Sequence, residues 1–351
     1  MQTGIENNHG QRRSGFELLR ILAALGVLAL HYNDSGVFDG LSKQVNLLVL
    51  NLNECFWAWP VDVFLMLSGY FSFRNKRVSL KKPAMLYVQL VVFRLLGSLI
   101  GALKSGSGLA PGKLLACFLP LNYFVVLFIA VYLISPWLNA LYNCLDRDAK
   151  RRMILCLFAV FSLWAYAGDL LSAAIGLSMN FASPVSISGD ISGHTVVNFA
   201  LCYLIGAAIA DDVITLKRPL PCFFAATAAT MLICLANGDD YVAISYCSPF
   251  VILQAVSLMC FFRTLDIGCV KWINMLGGAS LSVYLTQIYL FGFFGRERFM
   301  WSRPYVLLAH ILVSQISIYL VGFLVHIAYT GLTTPIFDRI WRKQNVDTEV
   351  S

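Results

Sequence analysis

Ten long apolar runs separated by short polar joints govern what this 351-residue chain can fold into. They lie at about 16–33, 55–73, 83–103, 119–141, 153–176, 195–210, 221–236, 245–263, 272–294 and 304–330. About 20 mostly apolar residues suffice to cross the hydrocarbon of a bilayer as a helix. No water is present there to satisfy backbone N–H and C=O groups, so an isolated run must be helical. Composition points the same way: 58% of residues are hydrophobic and 13% charged, against about 45–50% and 25% in a soluble domain. The expectation is an all-α, polytopic bundle of about ten transmembrane helices, which excludes disorder and an ordinary soluble domain. The expected organisation is a tail over 1–15, one transmembrane domain over 16–337 and a tail over 338–351, with no internal repeat and no soluble module.

The net charge of +7 is a question of sidedness before it is one of partners. With the N-terminus placed inside, 18 of the 26 Lys and Arg residues fall in joints on the inner side, from Arg12 and Arg13 to the group at 339–343. Six fall outside (Lys43, Lys104, Lys113, Arg296, Arg298 and Arg303), and Arg20 and Arg94 lie within runs. That bias predicts cytoplasmic N- and C-termini in a cell membrane. It also accounts for the basic surplus without a nucleic-acid partner. The outer joints at 34–54 and 236–244 carry Asp34, Asp39, Glu54, Asp239 and Asp240 instead. The first run follows Arg12 and Arg13 as a signal peptide would, but no small-x-small cleavage site follows it, so it is expected to stay as the first span. Ten cysteines form no C-x-x-C pair and sit mostly in apolar runs; they are expected to be buried thiols, with no zinc site or disulfide framework.

The first run, FELLRILAALGVLALHY, holds Glu17, Arg20 and His31. A charge deep in a bilayer costs a few kcal/mol or more, so an intramembrane ionisable group marks a candidate site. Eleven residues at ~100° each bring Arg20 and His31 to within roughly 20° of one helix face, about 16.5 Å apart along the axis. Glu17, three residues before Arg20, is placed to pair with the guanidinium. Each residue alone also fits a blander role, Arg20 reaching to the headgroups and His31 bonding a backbone carbonyl.

The second run contains PVDVFLMLSGYF, with Asp62 at the depth of His31 and Ser68 and Gly69 deeper. Asp62 is placed to orient an imidazole, or equally to favour the helix N-terminus after Pro60. Arg74, Asn75, Lys76, Arg77, Lys81 and Lys82 follow. The orientation rule explains this basic cluster, and a nucleotide phosphate would use the same groups. Arg94, in the middle of the third run, should face the bundle interior or a polar cavity. His194 starts the sixth run, and His310 and His326, sixteen residues apart in the tenth, lie on different faces; satisfied polar contacts are expected for all three, with no metal site. His9 lies in a polar tail.

Several patterns recur together. An acidic residue, two apolar residues, Arg, ten residues and His gives Glu17, Arg20 and His31. V-D-V-F-L-M-L-S-G-Y contains Asp62, Ser68, Gly69 and Tyr70, and Arg74 and Arg77 form R-x-x-R. Residues 123–139 and the stretch L-G-G-A-S-L-S-V-Y-L-T-Q at 276–287, with Ser280 and Tyr284, complete the set. In these patterns the chain resembles the integral-membrane acyltransferases of the acyltransferase-3 family, with Tyr123 where a Trp is usual and Gln287 where many relatives carry a His.

The resemblance implies transfer of an acyl group, usually acetyl, from cytoplasmic acyl-CoA to a sugar hydroxyl of a cell-surface or exported polysaccharide. His31 would be the general base, with Asp62 orienting it. Glu17, Arg20, Ser68, Arg74, Arg77, Arg94 and Tyr284 would bind donor or substrate. Acetyl-CoA or another acyl-CoA would be the donor substrate, with no tightly bound cofactor and no metal. The partners would be the lipid bilayer, a polysaccharide or lipid-linked glycan, and separate polysaccharide-synthesis proteins. A polytopic transporter or flippase, using Arg20, His31, Asp62 and Arg94 as a substrate or proton pathway, is the rival reading.

Overall fold

The computed structural model describes residues 13–33, 44–106, 108, 111–178, 180–238 and 241–349, the stretch 341–349 by its backbone. His9, Arg12, Asp34, Asp39, Lys43, Asp239 and Asp240, singled out above, lie outside the described residues. Among the described residues fourteen α-helices follow in chain order. They are α1 (Ser14–Asn33), α2 (Gln44–Phe56), α3 (Pro60–Ser72), α4 (Lys81–Ser105), α5 (Pro111–Cys117), α6 (Tyr123–Asn143) and α7 (Arg147–Phe158). After a π-helical turn at Ala159–Trp164 come α8 (Ala165–Ile175), α9 (Val196–Ala210), α10 (Pro219–Asn237), α11 (Pro249–Thr264), α12 (Lys271–Gly278), α13 (Ser280–Leu290) and α14 (Pro304–Glu349). No strand occurs among the described residues.

All ten apolar runs contain helix, but not every run holds a helix long enough to count as a span. Among the described residues six helical segments are long and apolar enough to cross a membrane: α1, α4, α6, the continuous α7–α8 segment, α10 and α14. A seventh results if α12 and α13, bent by 53° at their junction, form one broken span. Helices α3, α9 and α11 have 13, 15 and 16 residues. At ~1.5 Å per residue they extend about 20–24 Å, short of a hydrocarbon core of about 30 Å. They form the centre of the bundle, where Val63, Met66, Cys202, Ala207, Ala255 and Met259 are fully buried. Hydropathy alone does not separate a lipid-facing helix from one covered on all sides by other helices.

Proline begins α3, α10 and α11, where its missing N–H is not needed and its fixed φ favours the first turn. Side-chain caps start others: Asn122 accepts from the Val125 amide at 3.0 Å and Asp146 from that of Ala149 at 2.7 Å. The tightest pairing is α3 on α9. A Cβ on Gly69 would lie 1.8 Å from the Tyr203 carbonyl oxygen, and one on Gly206 would lie 2.0 Å from that of Met66. Only glycine permits this approach. At the end of α3, Asn139 of α6 donates to the Ser72 and Asn75 carbonyls at 2.8 Å each and accepts from the Tyr203 hydroxyl at 2.9 Å.

Two expectations are corrected. The segment 34–54, read as a polar joint, contains most of α2, whose Asn46, Leu50 and Glu54 recur at helical spacing and are buried. Asn46 donates to the Met300 carbonyl at 2.7 Å and so ties α2 to the chain entering α14. All ten cysteines are free, but Cys144, Cys156 and Cys269 are exposed rather than buried. Cys144 follows the end of α6 and Cys269 lies in the joint before α12, whereas Cys156 is on an uncovered face of the continuous α7–α8 segment.

Candidate active site

A cavity of about 400 Å³ runs through the bundle between α1, α3, α4, α6 and the α12–α13 break. On α1 its wall is Glu17, Arg20, Ala24, Val27, Leu30 and His31, one stripe at helical spacing. On α3 the wall is Val61, Phe64, Ser68 and Phe71 with Leu67 and Ser72. Arg20 and His31 thus share one face, as their spacing predicts. Glu17 pairs with the Arg20 guanidinium, whose carbon lies 5.6 Å from the centre of the Phe71 ring. Glu17 is 3% exposed. A Cβ on Gly277 would lie 2.5 Å from its Oε2, so the glycine at the α12–α13 break lets that break press against the ion pair. Ser280, just after it, donates to the Arg20 carbonyl at 3.3 Å.

Polar groups gather at both ends of the cavity. At the Arg20 end, Lys82 of α4 lies over the rings of Phe128 and Tyr132, at 5.3 and 4.7 Å. Such contacts steady an ammonium while leaving its N–H groups for other acceptors. At the other end, His31 meets Tyr123, Tyr246 and Tyr284. The Tyr123 and Tyr246 hydroxyls are 3.4 Å apart, and His194 packs edge-on against both rings at 4.6 and 4.7 Å. His194 precedes α9, and burial holds its imidazole below the usual histidine value. Its Nδ1 is 3.0 Å from the Ile191 carbonyl. His310 contacts the Tyr32 hydroxyl at 2.6 Å, and His326 contacts that of Ser282 at 2.9 Å.

A second cavity, of about 260 Å³, adjoins the His31 end. His31 and Tyr284 line both, and Leu90, Phe93 and Arg94 continue the α4 stripe that begins at Lys82 and Leu86. Asn122 donates to the Tyr284 hydroxyl at 3.0 Å. Arg94, expected to face the interior, donates to the Leu119 carbonyl at 2.6 Å at the edge of this second space.

Three expected site residues lie elsewhere. Asp62, 1% exposed, lines neither cavity. It follows Val61 and so points about 100° away from the cavity stripe. It shares a face instead with Met66 and Gly69, against α9, where Asn198 and Cys202 are its polar neighbours. No hydrogen bond joins it to His31 among the described residues, so the expected orienting contact is absent. Arg74 and Arg77 are exposed beyond α3 and line neither cavity, Arg74 lying over its neighbour Phe73 at 5.0 Å. Lys82, five residues past Arg77, takes the cavity position. Sequence reading missed Tyr246 altogether, since a loop more than 200 residues from His31 gives no local signal. Apart from the two cavities, the carboxylate oxygens of Asp169 and Asp190 and the Cys247 sulfur lie within 4.8 Å of one another, and the Cys247 thiol donates to Asp190 at 3.3 Å.

No curated protein and no solved structure matches the chain. The family model described as an acyltransferase domain, that of the acyltransferase-3 family, matches residues 13–334, which includes every helix that lines the two cavities. The bundle of apolar helices and the match over nearly the whole chain place the protein in one class: it belongs to the acyltransferase-3 family of membrane acyltransferases.

Proposed function

We propose that this protein is an O-acyltransferase, using acetyl-CoA or a closely related acyl-CoA and acylating a sugar hydroxyl of a cell-surface or exported polysaccharide. It would reside in the plasma membrane with both termini cytoplasmic. The observation that carries this reading is the position of His31 where two cavities meet, with the cationic groups of Arg20 and Lys82 at the far end of the larger one. An extended pantetheine arm is comparable in length to the about 16.5 Å between Arg20 and His31. Phosphates held by Arg20 and Lys82 would therefore leave the thioester beside the imidazole.

In the step itself, the acceptor oxygen attacks the thioester carbonyl carbon while its proton passes to His31. The new C–O bond forms, the C–S bond breaks, and the leaving thiolate takes the proton from the imidazolium, so ester and free CoA thiol are the products. The Tyr284 hydroxyl, held by Asn122, is a donor at the same junction for the oxyanion that develops. Asp62 is assigned to the seating of α3 on α9, and Arg74 and Arg77 to the surface beyond α3.

The test is release of CoA and transfer of labelled acetyl to a glycan extract by the purified protein in lipid nanodiscs. His31→Ala should end both while the protein remains folded. Full activity in that variant removes the general-base role. Vesicle uptake of glycan with no consumption of acyl-CoA would instead support the transporter reading.

A further inference from the structure

The smaller cavity meets His31 from the side opposite to Arg20 and Lys82, and its lining differs in kind. Two guanidiniums line it, from Arg94 and Arg296, and no Asp or Glu does among the described residues. Arg296 donates to the Tyr32 and His31 carbonyls and packs over Phe291 at 4.9 Å, so it forms wall. Arg94 donates to a single carbonyl, that of Leu119, which leaves its charge unmatched by any carboxylate of the cavity. An independent observation concerns Gln287. This side chain is 2% exposed, lines the same space, and its Oε1 has no hydrogen-bond partner. A buried amide oxygen without a donor costs free energy unless something else supplies one. At about 260 Å³ the space falls below the about 300 Å³ at which drug-sized pockets begin, and so suits one ring-sized group. Tyr284, Tyr289 and Phe291 give it aromatic faces for the C–H faces of a sugar.

Resting on the acyltransferase reading, we propose that this cavity is the acceptor site and that it selects a sugar bearing an oxyanion, a carboxylate or a phosphate, near the hydroxyl to be acylated. Arg94 binds the oxyanion. Gln287 Oε1 accepts from a neighbouring hydroxyl. The acylated hydroxyl faces His31.

The test begins with binding, measured on the full-length protein in nanodiscs without any donor. The probes are methyl β-glucuronide, glucose 6-phosphate and neutral methyl β-glucoside. A charge-assisted hydrogen bond gained or lost corresponds to roughly 10-fold or more in affinity. At least one anionic probe should bind that much tighter than the glucoside, and which one does so separates the carboxylate from the phosphate. Arg94→Gln should abolish the preference, and Arg94→Lys should keep part of it and control for misfolding. Gln287→Leu should weaken all three probes alike. Equal binding of the three probes, or a preference that survives Arg94→Gln, overturns the proposal. In turnover, Arg94→Gln should raise the KM for the anionic acceptor. An equal rise in the KM for acetyl-CoA would move Arg94 to the donor side and overturn it too. An anion preference in a protein that never consumes acetyl-CoA would leave the binding site standing and sink the acyltransferase reading instead.

Discussion

The rings of His31 and Tyr284 lie 6.4 Å apart between centroids, and among the described residues these two side chains alone border both cavities. Any group passing from one space to the other meets this pair. Loss of the imidazole should therefore cost more than loss of the phenol's oxygen. His31→Ala is expected to lower kcat about 10²-fold or more, in the range of a lost general base. Tyr284→Phe should lower it by a smaller factor. CoA release under saturating acetyl-CoA reads both, and a larger loss in Tyr284→Phe would transfer the central role to the hydroxyl.

Lys82, rather than Arg74 or Arg77, borders the larger cavity. Lys82→Gln should raise the KM for acyl-CoA about 10-fold, as expected for one charge-assisted phosphate contact. The double variant Arg74→Gln/Arg77→Gln should change it less. Steady-state kinetics with varied acyl-CoA checks the order, and the reverse order would return the phosphates to the R-x-x-R pair.

Asp62 faces Asn198 and Cys202 of α9 and lines neither of the cavities that meet at His31. Asp62→Ala is expected to lower thermal stability by about 1–3 kcal/mol through the polar groups it leaves buried and unpaired. The remaining activity should keep the pH dependence of the native enzyme. A displaced limb of the kcat/KM profile would restore to Asp62 the orienting role that its depth in the sequence first suggested.

Gly69 and Gly206 bring the backbones of α3 and α9 together with no room for a Cβ. Gly69→Val or Gly206→Val should push the helices apart, and forcing atoms into a packed core costs typically about 1–3 kcal/mol or more. The expected result is a lower Tm and poorer recovery from detergent for both. An unchanged melting curve would show that the pairing tolerates separation.

His194 has its imidazole held by burial below the ordinary value of 6.5. The unfolded chain therefore takes up its proton first as the pH falls. The stability contributed by the neutral ring is complete above about pH 6.5 and is lost as the pH drops toward the folded-state value. The native protein should lose more Tm between about pH 8 and about pH 5.5 than His194→Gln does. Parallel losses in the two would exclude His194 as a source of the acid sensitivity.

The α1 side of the site was legible because helical spacing alone relates Glu17, Arg20 and His31. The α3 side was not, because equal depth in two helices says nothing about which way each side chain points. A signal was present, though: Asp62 and Gly69 are seven residues apart, hence on one face, and a glycine there indicates a closely packed neighbour. Tyr123, Tyr246 and Lys82 reach the cavity from three separate elements whose arrangement depends on the whole bundle. The helical class was legible from the apolar runs. Which of them face lipid was not, since α3, α9 and α11 are as apolar as the longer helices and differ only in length and in what surrounds them.

The shortness of α3 bears on transport of charge as well as on packing. Its 13 residues extend about 20 Å, while the surrounding hydrocarbon is about 30 Å thick. Solvent entering from the two ends of such a core approaches itself more closely than it does anywhere in the neighbouring lipid. A transmembrane voltage would then fall more steeply across this core than across the lipid around it. A charged group crossing that core would meet the same voltage over a shorter path than one crossing the lipid around it.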